Sequence, residues 1–423
     1  MPTIRDGAGR LCLAGVPLAD LARDPRVGTP SYVYDLDGME AEARALLAAF
    51  GGRPHLACYA VKANSAGEVV RTLVSAGCGA DVVSGAELAL ALRCGAAPER
   101  VVYSGVAKQD WELDLAVGAG PRGIGAVQVE SVEEIARVAA RARAADRTAA
   151  ISIRVNPGLD EVDTHAHVAT GHDEAKFGVA LEDVADALSA VRSARGVTLV
   201  GLACHVGSQL VRTDHYVEGA RRLFALARDV RAVTPLRFVD TGGGFGIDYG
   251  AGCEAKPADF VREALRELDA HGLGDLALHV EPGRALVAAH GVLLASVVQE
   301  KRARHGKEPR RWLAVDAGMN DLLRPALYQA VHRVVPLEAQ AGPVGPWRVV
   351  GPVCESSDDF GTHALPETAP SHVAFLDAGA YGYTMASQYN GRALPAEVFL
   401  RGGRVASIRA RAKWDAWVED RLR

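Results

Sequence analysis

The sequence has no C-x-x-C pair, and its seven cysteines are odd in number: Cys12, Cys58, Cys78, Cys94, Cys204, Cys253 and Cys354. That pattern disfavours a secreted disulfide scaffold and a zinc knuckle, and it fits a reducing compartment. There is no basic surplus either. The formal net charge is −5, which argues against a dedicated nucleic-acid binder. The one basic run, RARHGKEPRR from Arg302, reads as a solvated loop. No apolar run reaches the roughly 18 residues that span a bilayer. The opening MPTIRDGAGR lacks the charged-then-apolar pattern of a secretory leader. A cytoplasmic protein is expected, with neither nucleic acid nor membrane as a partner. Solenoid-period repeats and low-complexity segments are also absent.

What is present is material for a large core. Hydrophobic residues make up 49% of the 423, and charged residues 23%. That length implies two or three domains, or one large barrel and a smaller domain. Eight short apolar runs follow one another: HLACYAV, ADVVS, RVVYSG, AVQVES, AISIRVN, LVGLACHVGS, RFVDTGGG and LALHVEPG. Each is bounded by Gly, Ser, Asn or Pro, as strands are. Between them lie segments with apolar residues at helical spacing, such as GEVVRTLVSAG, GAELALALRCG and SVEEIARVAARARA. The last opens on Ser131 with Glu134 three residues on, a capping-box pattern. The series predicts an α/β fold, a (β/α)₈ TIM barrel. A doubly wound sheet would be favoured by a glycine fingerprint after the first strand, and there is none. After Gly283 the rhythm changes. ALVAAHGVLLASVVQEKRA, WLAVDAG, WRVVGPV, HVAFLDAGAY, AEVFLRGG and RVASIRA read as strands of a C-terminal all-β domain. The expected division is a barrel over 30–285 and a β domain from 1–29 and 286–423.

Barrel chemistry gathers at the C-terminal ends of the strands. Lys62 follows the first run; it is either a partly desolvated lysine able to form a Schiff base or a lysine snorkelling at the rim. Asp81, at the end of the second, could contact it. The cluster Gly242, Gly243 and Gly244 follows the seventh run and offers backbone N–H groups to a phosphate. Glu281, Pro282, Gly283 and Arg284 follow the eighth. Arg284 is either a fork for phosphate or carboxylate or one arm of a rim salt bridge. His205 precedes a Gly-Ser turn after the sixth. Lysine, phosphate loop, carboxylate and imidazole around one mouth suggest pyridoxal 5'-phosphate.

The motifs YAVKANS, DVVSGAELALAL, RVNPG, THAHVATG, KFGV, HVGSQL, GGGFGIDY, EPGRALV, VDAGMNDLLRPALY, GPVCES and DAGAYGYTMASQYNGR extend over most of the chain. With them the sequence resembles the fold-type III pyridoxal-phosphate decarboxylases, the group acting on ornithine, arginine and diaminopimelate, and within it the diaminopimelate decarboxylases. The resemblance implies a PLP-binding barrel with a C-terminal β-barrel domain, working as a head-to-tail homodimer whose active site is shared across the interface. It implies Lys62 as the Schiff-base lysine and His205 stacked on the ring. Ser208, Gly243, Gly244, Pro282, Gly283, Arg284 and Tyr381 would complete the cofactor site, and Glu281 would face the pyridine nitrogen. Cys354 would return the proton.

The resemblance further implies the last step of lysine biosynthesis, conversion of meso-2,6-diaminopimelate to L-lysine and CO₂. Arg324 and Tyr328 would clamp the distal carboxylate, with Arg284 and Tyr381 also at the substrate, and Glu355 would take the distal ammonium. Glu281 stands where alanine racemase, a similar barrel, has an arginine, and so favours decarboxylation. The alternatives are a decarboxylase of another diamino or carrier-bound acid on the same scaffold, and a non-catalytic regulatory relative. His165, His167 and His172 are spaced too loosely for a metal site, and none is expected. The chain departs from the family at Thr241, where Leu is common, at Ala175, where Asn is usual, and in the doubled Asp358–Asp359.

Overall fold

The eight apolar runs all become strands, and the strands close on themselves. A computed structural model describes residues 3–159, 176–303 and 311–423. The strands are β1 (His55–Ala60), β2 (Gly79–Val82), β3 (Val101–Tyr103), β4 (Ala126–Val129), β5 (Ala149–Arg154), β6 (Val197–Ala203), β7 (Phe238–Asp240) and β8 (Ala277–Val280). Each pairs in parallel with the next, and β8 returns to β1 through Leu278 opposite His55. Helices lie between them, among them Gly67–Ser75, Gly85–Arg93, Val132–Ala144 and Asp214–Arg231. This is a (β/α)₈ barrel.

The caps show how local sequence places these helices. Ser131 Oγ accepts the Glu134 N–H at 3.3 Å, as the spacing predicts. The return bond goes one residue further back, however. Glu134 Oε2 accepts from the Glu130 N–H at 2.8 Å, while Oε1 takes the buried Lys108 Nζ at 3.0 Å. Ser84 and Glu87 repeat the arrangement: Ser84 Oγ takes the Glu87 N–H, and Glu87 Oε2 takes the Val83 N–H. In both places the cap also ties the helix start to the end of its preceding strand.

The remaining strands form a second unit. Its longest, Gly291–Arg302, pairs antiparallel with Ser31–Asp35, Arg311–Val315 and His372–Phe375. Ser31–Asp35 also runs parallel to Ala396–Arg401, which turns back through Gly402 and Gly403 into Arg404–Arg409. Val344–Val350 and Asp359–Pro366 extend the opposite edge. Leu13, Leu18, Val33, Val292, Leu294, Ala374 and Val398 are among the buried residues of its core.

Two expectations change. Residues 285–290, expected as strand, instead lie in a helical turn (Arg284–Val287) and a 3-10 turn (Ala288–His290) before the strand starts at Gly291. The alanine-rich stretch follows helix propensity there rather than its alternation. The strand Ser31–Asp35 bonds to the β sheet, so one compact unit takes 1–39, 249–251 and 286–423, and the other 40–248 and 252–285. The barrel unit thus begins ten residues later than the expected position 30. The three histidines at 165, 167 and 172 lie outside the described residues. Among the described residues, no helix is long and apolar enough to cross a membrane, and no acidic, His or Cys cluster has the makings of a metal site.

Candidate active site

Lys62 sits in a 3-10 turn, Val61–Ala63, directly after β1. The turn is held by the buried Tyr59 hydroxyl, which donates to Asn64 O at 2.8 Å, and by Asn64 Oδ1, which accepts the Ala66 N–H at 3.0 Å. The Lys62 ammonium reaches Asp81 Oδ2 at 2.9 Å. Asp81 is fully buried at the end of β2, and its other oxygen accepts from Ser104 Oγ at 2.6 Å. The lysine side chain keeps 40% of its exposure, so its head is open to the barrel mouth although its partner is not.

Glu281, just after β8, is the next member of this cluster. Its Oε1 lies 3.4 Å from both Ser104 Oγ and Gln128 Nε2. Burial, then the charges of Asp240 and Asp81, push Glu281 well above the usual carboxylate range. Burial also lifts Asp240, to about 7, although Asp240 Oδ1 accepts the Gly242 N–H at 2.8 Å. Two buried carboxyls at the ends of neighbouring strands therefore hold their protons more tightly than free carboxyls do. A cation arriving opposite Glu281 would release the proton there.

The glycine loop could be built from no other residue. Gly242 and Gly244 have φ of +70° and +87°. A Cβ on Gly243 would lie 2.0 Å from Glu281 O, and one on Gly244 2.1 Å from Gly207 O. The loop after β7 is thereby pressed against those after β6 and β8. His205 Nδ1 accepts the Gly243 N–H at 3.2 Å, so its proton resides on Nε2. Burial, with Arg154 and Lys62 adding to it, lowers the His205 pKa well below its ordinary value, and the ring is neutral. Arg284 Nη2 donates to Ser208 Oγ at 2.9 Å. Pro282 O accepts the Ala60 N–H at 3.0 Å, and Gly283 packs against Ala60 and Ala63 on either side of Lys62. Glycine amides, a serine and a guanidinium are the donors that a phosphate needs.

The barrel unit thus brings together Lys62, His205, Ser208, Gly243, Gly244, Glu281, Pro282, Gly283 and Arg284. The sequence reading missed Ser104, Gln128 and Asp240. It also missed Glu130, which accepts the Gly105 and Gly178 N–H groups at 2.8 Å and Arg154 Nη1 at 3.2 Å. The available signal was a polar side chain within or just after an apolar run.

Arg324, Tyr328, Cys354, Glu355 and Tyr381 belong to the β unit. Arg324 is buried and opens the short helix Arg324–Tyr328. Its Nη1 donates to His332 Nε2 at 2.7 Å, and its guanidinium carbon lies 4.8 Å from the centre of the Tyr249 ring. Tyr328 and Tyr381 are half-buried. Cys354 is exposed, whereas the other cysteines are buried or half-buried. Its N–H donates to Asn390 Oδ1 at 2.9 Å, and the Tyr389 hydroxyl donates to Glu355 Oε1 at 2.7 Å. The doubled aspartate has two distinct tasks. Buried Asp358 accepts the Val353 and Met319 N–H groups, both at 2.6 Å, while Asp359 pairs with Arg348.

The model of the pyridoxal-dependent decarboxylase, pyridoxal binding domain, matches residues 36–288. The chain belongs to this decarboxylase family. It is 38% identical over 405 residues to diaminopimelate decarboxylase of Vibrio cholerae, covering 95% of this chain and 94% of that protein. It is 39% identical over 394 residues to the Helicobacter pylori J99 enzyme of the same name, covering 92% and 95%. The solved H. pylori diaminopimelate decarboxylase complexed with L-lysine superposes with a TM-score of 0.87, at 36% identity, over 96% of this chain and 100% of that one. The M. jannaschii diaminopimelate decarboxylase in complex with L-lysine gives 0.91 at 29% identity, over 99% and 97%. The family's cofactor is pyridoxal 5'-phosphate, and the residues of the decarboxylase barrel fit it. They include a reachable lysine, a glycine cradle closed to any Cβ, an arginine beside a serine, a neutral imidazole and a carboxyl poised to ionise against a cation.

Proposed function

We propose that the protein removes CO₂ from the D-configured centre of meso-2,6-diaminopimelate and releases L-lysine. The observation that carries this reading is its similarity to the curated diaminopimelate decarboxylases, 38% identity over 95% of the chain in the Vibrio cholerae case. The buried guanidinium of Arg324 supports it, because ornithine and lysine lack a distal carboxylate to meet such a group.

Pyridoxal phosphate supplies an electron sink at the substrate's α-carbon. Lys62 would hold the cofactor through Nζ, with Asp81 aiming that nitrogen. Ser208, Gly243, Gly244 and Arg284 would take the phosphate, with Pro282 and Gly283 fixing the β8 loop behind them. Glu281 would ionise against a cationic ring nitrogen, and neutral His205 would offer the ring a flat face. Arg324 and Tyr328 hold the distal carboxylate, and Glu355 the distal ammonium. Loss of CO₂ would leave the bonding pair at the α-carbon, where the cofactor's electron sink would spread it. The Cys354 thiol then gives that carbon a proton. Tyr381 lines the cofactor.

Cys354 and Glu355 are exposed in the single chain, which supports a homodimer in which they complete the partner's site. Seven free cysteines support a cytoplasmic location. The test is CO₂ release with meso-diaminopimelate, its LL isomer, ornithine and lysine offered in parallel. Release from the meso isomer alone is expected. Release from ornithine or lysine at a comparable rate would overturn the distal-clamp reading.

A further inference from the structure

We infer that His332 and Tyr249 are positioning residues for Arg324, and that the lone pair on His332 Nε2 sets the enzyme's selectivity for a substrate with a distal carboxylate. The inference rests on the reading of Arg324 as the clamp for that carboxylate. It adds the question of what aims the clamp.

The tautomer of His332 follows from its two neighbours. Its Nδ1 lies 2.8 Å from Leu376 O, and a carbonyl can only accept, so Nδ1 carries the proton. Nε2 is then an acceptor, 2.7 Å from Arg324 Nη1, which can only donate. His332 is 2% exposed and Arg324 6%, so the bond is shielded from water. Tyr249 supplies the second restraint. Its ring face is 4.8 Å from the guanidinium carbon, and the ring meets His332 edge-on at 5.5 Å and 76°. The His332 bond restrains the guanidinium within its plane, and the Tyr249 face restrains it across that plane.

The backbone is shaped for the same contact. The helix Arg324–Tyr328 ends at Gln329, whose φ of +55° is costly for a residue with a Cβ. That turn sends the chain back so that position 332 reaches position 324. Neither His332 nor the Tyr249 ring carries a negative charge. They orient the guanidinium without bringing a negative charge that would compete with a substrate carboxylate. An aspartate in place of His332 would aim the arginine equally well and discharge it.

Steady-state kinetics with meso-diaminopimelate, and inhibition by L-lysine, are measured for the wild type and for His332→Phe, His332→Gln, Tyr249→Leu and Arg324→Gln. Bound-cofactor absorbance and melting temperature report folding. His332→Phe is expected to raise KM roughly tenfold, the usual size for one lost hydrogen bond to a charged group. Inhibition by the product L-lysine, whose one carboxylate is the distal one, weakens by a similar factor, while kcat stays within about twofold of the wild type. The Gln variant, which restores an acceptor, recovers most of the KM. Tyr249→Leu raises KM in the same direction and carries the test if His332→Phe does not fold. If Arg324→Gln raises KM but neither His332→Phe nor Tyr249→Leu does, the positioning role is overturned while the clamp stands. If Arg324→Gln leaves KM unchanged, the clamp reading fails and the inference with it.

Discussion

Lys62 and Asp240 show which residues of such a site a sequence reveals. Lys62 stands out because a cation directly after an apolar strand is costly unless it is used. Glu281 and the glycine cluster stand out for the same reason of placement. Asp240 does not: at the end of FVD it reads as a strand boundary, and only the fold places its buried carboxyl in the Glu281 cluster. His332 is equally hidden, because its partnership with Arg324 depends on a left-handed turn at Gln329 that glutamine does not announce. Lys62→Ala is expected to lose the cofactor's lysine-bound absorbance and nearly all turnover, read by spectrum and CO₂ release. Cys354→Ala keeps the absorbance but slows proton return; a full-rate Cys354→Ala enzyme would remove the thiol from the mechanism. The Asp240 carboxyl titrates at about 7 in the folded protein, above the roughly 3.9 of an unfolded chain. Its stabilising contribution is therefore complete below roughly pH 4 and is lost as pH rises through about 7. Asp240→Asn keeps an acceptor for Gly242 and removes the titration. The cofactor-free variant should lose less melting temperature than the wild type between about pH 5 and about pH 8.

At the level of elements, the helix caps were legible and their partners were not. Ser131 and Glu134 announce a helix start, yet Glu134 serves both the Glu130 amide and the buried ammonium of Lys108. The two substitutions should therefore differ. Ser131→Ala removes one cap and costs about 1 kcal/mol. Glu134→Ala also leaves Lys108, whose side chain is 1% exposed, with only the Gly105 and Gln128 carbonyls and no counter-charge, and should cost about 3–5 kcal/mol in urea unfolding. Equal losses would mean that the ion pair contributes nothing beyond the cap. Among strands, Asp359–Pro366 escaped notice because DFGTHALP carries a glycine and ends on proline. The segment 285–290 reads as strand only because alanine and valine mix there by accident of composition.

For the whole molecule, the barrel was readable because its strand order is its sequence order. Each βα pair repeats the previous one, and closure follows from number. The β unit offers no such regularity. Ser31–Asp35 lies between Gly291–Arg302 and Ala396–Arg401, pairings that join both ends of the chain and that no local pattern encodes. Sharing of the site between subunits is tested at this scale. Equal amounts of Lys62→Ala and Cys354→Ala protein, unfolded and refolded together, should recover about a quarter of wild-type activity, because each mixed dimer then holds one intact site. No recovery would mean that each chain completes its own site. The central claim is that the D-configured centre of meso-diaminopimelate loses its carboxylate while the L-centre is kept. Chiral chromatography of the product measures this directly. The account predicts L-lysine alone, one molecule for each CO₂ released; D-lysine or a racemate would contradict it.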